Sequence, residues 1–536
     1  VVKKIESSVA CPGLFYPITT GDGYLWRVRT VGGMVNSSQL LALAEFCRNF
    51  GKGGECQITN RGNLQIRSQV DRLPQAVLAK LQDLGLAARL PELDRLRNVA
   101  ISPTAGIDAT AIFDPRNLSR EVDRYLSTEL KLTGLSAKFS IGIDGGERVS
   151  ICSRSNEIWA IAKLVNSRVR LAIGCGLSDG KIAMTGIEVL PDSFIETIST
   201  IADIYLEFAP SFESHDLSSR RKSSQPRFRE LIERFGMDWL VGELLNRLPD
   251  SVDFTFREKI DNFEGNLIAD RTIYESILGI HLQDNIVKDL FSPAECDDSL
   301  KLPLATDLKP ILIESTEQLY YLGIDVPLGI LKAAQLEILA RTIDDSAGGE
   351  MRLTPWRSIL IPHIPRENLA KISPWQRCAN VETLPEEGSI QHDRSTNQIT
   401  ASAIVACVGS SGCSEGFTRT QEHARLLAKA IATSSIELPV TSIHLTSCPK
   451  ACAHPYPSDI TLLGTKIDRG GKCVEAYEIY VREGDLAALP QVYPERSRGA
   501  NHPFGRSLGM TIVAEDIPLS VIELIHPQPP SPKEII

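Results

Sequence analysis

The chain has 536 residues, 43% hydrophobic and 23% charged, with a formal net charge of −10. That length allows three or four domains and a large core, while the acidic balance excludes nucleic acid as the main partner and the apolar runs are too short for a bilayer. Twelve cysteines without framework spacing fit a reducing compartment, and VVKKIESSVACPG lacks an apolar signal core, so a cytoplasmic location is expected.

Residues 11–78 are expected to form a strand–helix–strand unit. A turn at Gly21-Asp22-Gly23 leads into a strand carrying Arg27 and Arg29. Asn36 or Ser37 can cap a helix whose Leu40, Leu43, Ala44 and Cys47 share one face. The return strand is ECQITNRGNLQIR, in which Arg61 and Arg67 flank a turn containing Asn63. Guanidinium groups placed there suit bidentate contact with carboxylates. An ordinary hairpin with exposed basic residues explains the same pattern.

Residues 79–235 are expected to be a first α/β domain. Arg97 precedes a Ser-Pro turn, and Lys138 opens a strand in which Phe139, Ile141 and Ile143 alternate. Arg227 and Arg229 start a helix, where their charge opposes the dipole and points to a ligand. Solvated surface is the plain alternative for each of these groups. Residues 236–312 form a connector with no site.

The first unit recurs about 295 residues later, over residues 313–374. Leu336, Leu339, Ala340 and Ile343 repeat the helix face, Gln335 stands where Gln39 stood, and GEMRLTPWRSILI overlays GECQITNRGNLQI. So wide a spacing indicates duplication of a whole half rather than a solenoid. Two such units can pair into one sheet, each followed by its own α/β domain. The basic residues concentrate in the first copy; the second offers Gly323, Asp325, Trp356, Ser358 and Leu360 instead.

Residues 375–490 hold four cysteines in two tight pairs, Cys407 with Cys413 and Cys448 with Cys452. Four thiolates can hold a [4Fe–4S] cubane, and the small residues between them let backbone N–H groups fold over an anionic cluster. Structural zinc is the rival, although a five-residue gap is wide for it. Thr418 and Gln421 fit a capping box ahead of a helix, and Ile443 to Thr446 form a strand delivering the second pair. Lys450 and His454 lie beside that pair, where His454 can tune the cluster by hydrogen bonding. No dinucleotide or P-loop motif appears, so electrons must come from a separate donor. Residues 491–536 are expected to be a surface loop and a disordered Pro-rich tail.

The duplicated halves, the two cysteine pairs and the T-N-R-x-N-x-Q loop resemble the siroheme sulfite/nitrite reductase superfamily over most of residues 11–490. The resemblance implies an α+β fold: paired ferredoxin-like half-domains plus two α/β cofactor-binding domains. Within the superfamily, CPGLFYPITTGDGYLWRVRTVGG, RLTPWRSILIP and C-P-K-A-C-A-H-P are similar to precorrin-3B synthases. That resemblance implies an oxygen-dependent monooxygenase of aerobic cobalamin synthesis, which hydroxylates precorrin-3A at C20 with γ-lactone formation. It implies precorrin-3A and dioxygen as substrates, a reductase or ferredoxin as donor, and an additional non-heme iron of unknown ligands. Arg61, Asn63, Arg67, Arg97, Lys138, Arg227 and Arg229 would then bind the macrocycle. The reductases carry L-P-R-K-F where this chain has Leu135-Ser136-Ala137-Lys138-Phe139. Loss of that guanidinium would cost an oxyanion site roughly 2–5 kcal/mol and suits neutral dioxygen. A siroheme- and [4Fe–4S]-dependent sulfite or nitrite reductase is the alternative.

Overall fold

The computed structural model describes residues 11–178, 180–211, 226–256, 279–282, 319–372, 404–433, 442–454, 458–482 and 504–525. Most of the expected 236–312 connector, the 491–503 loop and the 526–536 tail lie outside the described residues.

The first half contains β1 (Ile18–Thr20), β2 (Gly23–Val28), β3 (Met34–Asn36), α1 (Ser37–Phe50), β4 (Glu55–Ile58), β5 (Leu64–Ser68) and α2 (Gln75–Asp83). Asn36 and Gln39 make a reciprocal capping box at the start of α1, each bond 2.9 Å. Leu40, Leu43, Ala44 and Cys47 are fully buried, as their spacing predicts.

The first α/β domain follows as β6 (Val99–Ile101), α3 (Arg116–Thr128), β7 (Ile141–Asp144), β8 (Ile158–Val165), β9 (Arg168–Gly176), β10 (Ile182–Val189), α4 (Phe194–Phe208), α5 (Phe228–Phe235), α6 (Met237–Arg247) and β11 (Phe254–Phe256). Strand β11 pairs with β10, and Leu240 and Leu244 of α6 sit in this domain's core. The domain therefore runs to residue 256, not 235, because residues 236–256 close its sheet and core.

The second half holds β12 (Gly279–Leu282), β13 (Leu319–Ile324), β14 (Ile330–Lys332), α7 (Ala333–Ser346), β15 (Glu350–Leu353) and β16 (Ile359–Pro365). The halves do not share one sheet, as the sequence suggested. They make two five-stranded sheets, β1-β2-β5-β4-β14 and β12-β13-β16-β15-β3. Each sheet takes its last strand from the other copy, with Ile330 opposite Gln57 and Met351 opposite Val35. One core cluster correspondingly mixes Leu40 and Leu43 with Leu336 and Leu339. A short strand just before each helix has too few residues to be seen as a separate element, and its exchange locks the copies together.

The second α/β domain comprises β17 (Ile404–Ala406), α8 (Thr420–Thr433), β18 (Ile443–Thr446), β19 (Ile460–Arg469), β20 (Lys472–Val481), β21 (Arg506–Val513) and α9 (Ile517–Ile525). Its pairing is parallel, parallel, antiparallel, antiparallel along β17-β18-β19-β20-β21. Strands β6 to β10 follow the same sequence of senses, so duplication extends to the α/β domains. Ile512, Ile517 and Val521 belong to this core. The domain thus continues past 490 to residue 525, and 504–525 is neither loop nor tail. Among the described residues no helix is long and apolar enough to cross a membrane.

Candidate functional site

Parallel pairing puts the ends of β17 and β18 side by side, Ala406 opposite Leu445, so Cys407 and Cys448 leave one sheet edge together. Backbone N–H of Ser447 donates to Cys407 Sγ at 3.2 Å, and Thr420 Oγ1 lies 3.4 Å from that sulfur. The expected Thr418–Gln421 capping box does not form. Helix α8 starts at Thr420, the Thr418 N–H donates to Ser447 Oγ at 2.7 Å, and Gln421 Nε2 donates to the Ala406 and Cys407 carbonyls at 3.0 and 3.1 Å. The Thr418–Ser447 bond ties the two cysteine loops to each other, while Gln421 ties the Cys407 loop to the start of α8. Gly409 has φ +69°, and a Cβ there would strike Thr418 and Thr420, so the loop between Cys407 and Cys413 requires glycine at this point.

Burial, and then Cys448, Cys407 and Cys413, push the Cys452 thiol up; burial, with Cys407 and Cys413, does the same to Cys448. Cys407 and Cys413 thus act on both thiols of the second pair. Among the described residues no three His, Cys, Asp or Glu side chains converge as ligands of a single metal ion. Thiolates that each bind a different iron of a cubane have no need to converge so closely. The expected additional non-heme iron finds no ligand set among the described residues. Cys407 and Cys448 leaving one sheet edge, with the Ser447 N–H already on the Cys407 sulfur, fit a [4Fe–4S] cluster that these two and Cys413 and Cys452 would hold.

Two hairpin loops meet this edge, residues 59–63 of the first half and 354–358 of the second. Asn60 Nδ2 donates to the Cys452 carbonyl at 3.4 Å, and Arg61 Nη2 to the Ser155 carbonyl at 3.1 Å. Between them lies a cavity of about 180 Å³ lined by Asn60, Arg61, Ala100, Arg154, Asn156 and Pro355, among others. The Arg154 guanidinium sits over the Trp356 ring, 4.6 Å from its centroid. Burial pulls the pKa of Arg27 and Arg61 down, and that of Arg29 and Arg357 to about 10. Desolvated cations without full carboxylate partners favour an anionic ligand. Of these four arginines, Arg61 lines the cavity, and Arg29 lines a second one with Arg120 and Glu350.

Of the expected macrocycle ligands, Arg61 lines this cavity. Asn63 serves the hairpin itself, its side-chain oxygen accepting from Thr30 N–H at 3.0 Å. Arg67 pairs with Asp22 at 2.5 Å and lies against Gly412, beside Cys413. Arg97, 3% exposed, makes a fork to Asp123, both bonds 2.9 Å, and a 2.7 Å bond to the Gly85 carbonyl. Lys138 is exposed, and its strand begins only at Ile141. Arg227 is held by buried Glu157 at 2.8 Å, and half-buried Arg229 stands beside it. Lys450 pairs with Glu415 at 3.2 Å. His454 meets His444 edge to face, and burial pulls its pKa to about 3, keeping the ring neutral.

Sequence reasoning missed Asn60, Arg154, Asn156, Glu157 and Arg357. Arg154 and Asn156 carry no repeat or spacing signal. Arg357 did leave one, since it falls where the overlay puts Gly62.

Replacing Arg227 with methionine should strand the Glu157 carboxylate and destabilise the protein by about 1–3 kcal/mol at neutral pH. Burial already pushes Glu157 up, and loss of the cation raises it further. A raised carboxyl favours the fold below its unfolded value, and that advantage is lost as pH rises through the folded value. The deficit in urea midpoint should therefore shrink on going from pH 8 to pH 5. A deficit that is constant or grows in acid contradicts the pairing.

A profile of the nitrite and sulphite reductase 4Fe-4S domain matches residues 92–251, and one of the nitrite/sulfite reductase ferredoxin-like half domain matches residues 16–83 and 313–373. The first of these falls on the α/β copy without the four cysteines; the second copy repeats its strand order. The ferredoxin–nitrite reductase of Synechococcus elongatus is 25% identical, covering 88% of this chain and 81% of the relative. A precorrin-3B synthase of Sinorhizobium sp. is 24% identical over 91% of this chain and 85% of the relative. The structure of NirA from Mycobacterium tuberculosis superposes with a TM-score of 0.58 at 17% identity, covering 93% of this chain and 79% of that one. The chain is built from the paired half domains and the 4Fe–4S domain fold of the nitrite and sulfite reductases, an oxidoreductase superfamily.

Proposed function

We propose that the chain is an oxygen-dependent monooxygenase of the precorrin-3B synthase type, hydroxylating precorrin-3A at C20 with γ-lactone formation. Each turnover consumes one dioxygen, two electrons and two protons; one oxygen atom enters the macrocycle and the other leaves as water. When bound, a [4Fe–4S] cluster supplies a one-electron relay from an external reductase or ferredoxin. The chain's own residues hold the substrate. Arg61 and Arg154 face carboxylate arms, while Asn60 and Asn156 offer neutral hydrogen bonds along the same wall.

The observation that carries this reading is Ala137. It is buried, and neighbouring Lys138 is exposed, so no cation from this loop replaces the arginine that the reductases carry there. Dioxygen needs no such charge. A ferredoxin-dependent siroheme nitrite reductase is the second reading, favoured by the reductase relatives.

An incubation with precorrin-3A, dioxygen and reductant, read by product mass, tests the proposal. A gain of one oxygen that derives from labelled dioxygen is expected. Unchanged precorrin-3A together with nitrite reduction by reduced ferredoxin would replace this reading by the second.

Arg61→Ala should weaken a many-armed macrocycle about 10- to 100-fold, since a hydrogen bond to a charged group contributes roughly 1.5–3 kcal/mol. Uroporphyrin, a stable octacarboxylate, serves as the titrant. An unchanged Kd would remove Arg61 from the site.

A further inference from the structure

The two hairpin loops of the duplicated halves close identically and differ at one telling position. Thr59 N–H donates to the Asn63 carbonyl at 2.8 Å, and Thr354 N–H to the Ser358 carbonyl at 2.9 Å. Three residues into each loop the backbone turns left-handed, with φ +68° at Gly62 and +64° at Arg357. Glycine takes this conformation without penalty, whereas a long side chain does so only when its surroundings enforce it. An arginine in the glycine slot therefore calls for a reason.

Its contacts supply one. Arg357 Nη1 donates to the Ala406 carbonyl at 3.2 Å and Nη2 to the Ala453 carbonyl at 3.4 Å. Ala406 immediately precedes Cys407, and Ala453 immediately follows Cys452. One guanidinium thus joins the first and last cysteines of the set across both loops. Its Nε is buried without a hydrogen-bond partner among the described residues; Cys407 opposes its desolvation, and Arg154 adds to it. Neither carbonyl carries a full charge, and among the described residues no carboxylate pairs with this cation. A reduced cluster, one negative charge richer than the oxidised one, would interact with it more strongly.

We infer that Arg357 is a positioning residue for the cluster: it clamps the two cysteine loops and, as a fixed buried cation, raises the reduction potential of the bound [4Fe–4S] centre. This rests on the cluster assignment above and holds for either reading of the substrate. Reduction adds one electron, delivered by the external donor, and Arg357 itself stays protonated throughout.

The test is a redox titration of the reconstituted full chain, followed by EPR, on wild type, Arg357→Gly, Arg357→Asn and Arg357→Lys. Glycine restores the residue found at position 62, and asparagine tolerates the left-handed backbone, so both neutral variants are compatible with the turn. At the wild-type midpoint, the neutral variants should show at least a tenfold lower reduced-to-oxidised ratio, a shift of about 59 mV for one electron. Lysine, which keeps the charge but loses the fork, should stay closer to wild type. Equal potentials in the lysine and neutral variants, or a neutral variant matching wild type, would overturn the inference. If one neutral variant loads no cluster, the comparison of the other with lysine decides. A wild-type protein that yields no four-iron signal would instead remove the cluster assignment itself.

Discussion

Cys407→Ser should remove the iron–sulfur absorption of anaerobically isolated protein while leaving the fold in place. The sulfur already accepts the Ser447 N–H at 3.2 Å, a bond that a serine oxygen can also accept, and the side chain is only half-buried. Loss of folding stability should therefore stay within about 1 kcal/mol. Cluster loss is another matter, because a hydroxyl is a poor ligand for iron beside three thiolates. Turnover should fall further than the roughly 10- to 100-fold that losing an outer partner of a metal site costs. Cys473→Ser is the control: that thiol is exposed on β20 and outside the constellation. Cluster content at the wild-type level in Cys407→Ser, or equal loss in both variants, would contradict the assignment.

The largest effect on stability is expected at Arg352. It is 1% exposed, pairs with Glu350 at 2.7 Å and donates from Nη1 to the Pro103 and Ala105 carbonyls, both at 2.7 Å. Those carbonyls follow β6, so the side chain pins the second half to the first α/β domain. Arg357 pins the same half to the second α/β domain. Arg352→Met keeps most of the volume and removes the charge, leaving Glu350 and two buried carbonyls without their donor. Breaking a buried pair from one side costs about 3–5 kcal/mol, which lowers Tm by roughly 6–20 °C for a domain of ordinary size. Calorimetry should show the loss; a Tm within about 2 °C of wild type would mean the contact contributes little.

Much of this architecture was legible before any coordinates. Spacing showed the cysteine pairs, and the Gln39–Gln335 and Leu40–Leu336 correspondences showed the duplication, because local periodicity and motif spacing survive in a single chain. Boundaries and side-chain allegiance did not survive in the same way. Strand β21 lies beyond a segment whose composition suggested only a loop, and pairing across that gap leaves no local mark. Arg97 looked free because its partner Asp123 lies on α3, and Arg227 because Glu157 lies just before β8. Basic residues advertise anion binding equally well whether the anion is a ligand or a distant carboxylate of the same chain. Conversely, Arg154 enters the cavity from an undistinguished stretch, placed there by the meeting of three domains.

The site is therefore smaller in its arginine count than the sequence suggested, and more dependent on the hairpin loops. Residues 59–63 and 354–358 occupy equivalent turns yet do different work. One presents Asn60 and Arg61 to the cavity and to Cys452; the other presents Trp356 under Arg154 and sends Arg357 between the cysteine loops. The two turns close with the same backbone bond but differ at four of five side chains, which sets what each presents.

Whether the four thiols hold a single cluster is best settled by Mössbauer spectroscopy on iron-57-enriched protein, combined with sulfide analysis. About four iron and four sulfide per chain, in one cubane signature, is the expected result. Zinc in place of iron, or isolated mononuclear iron without sulfide, would contradict the assignment.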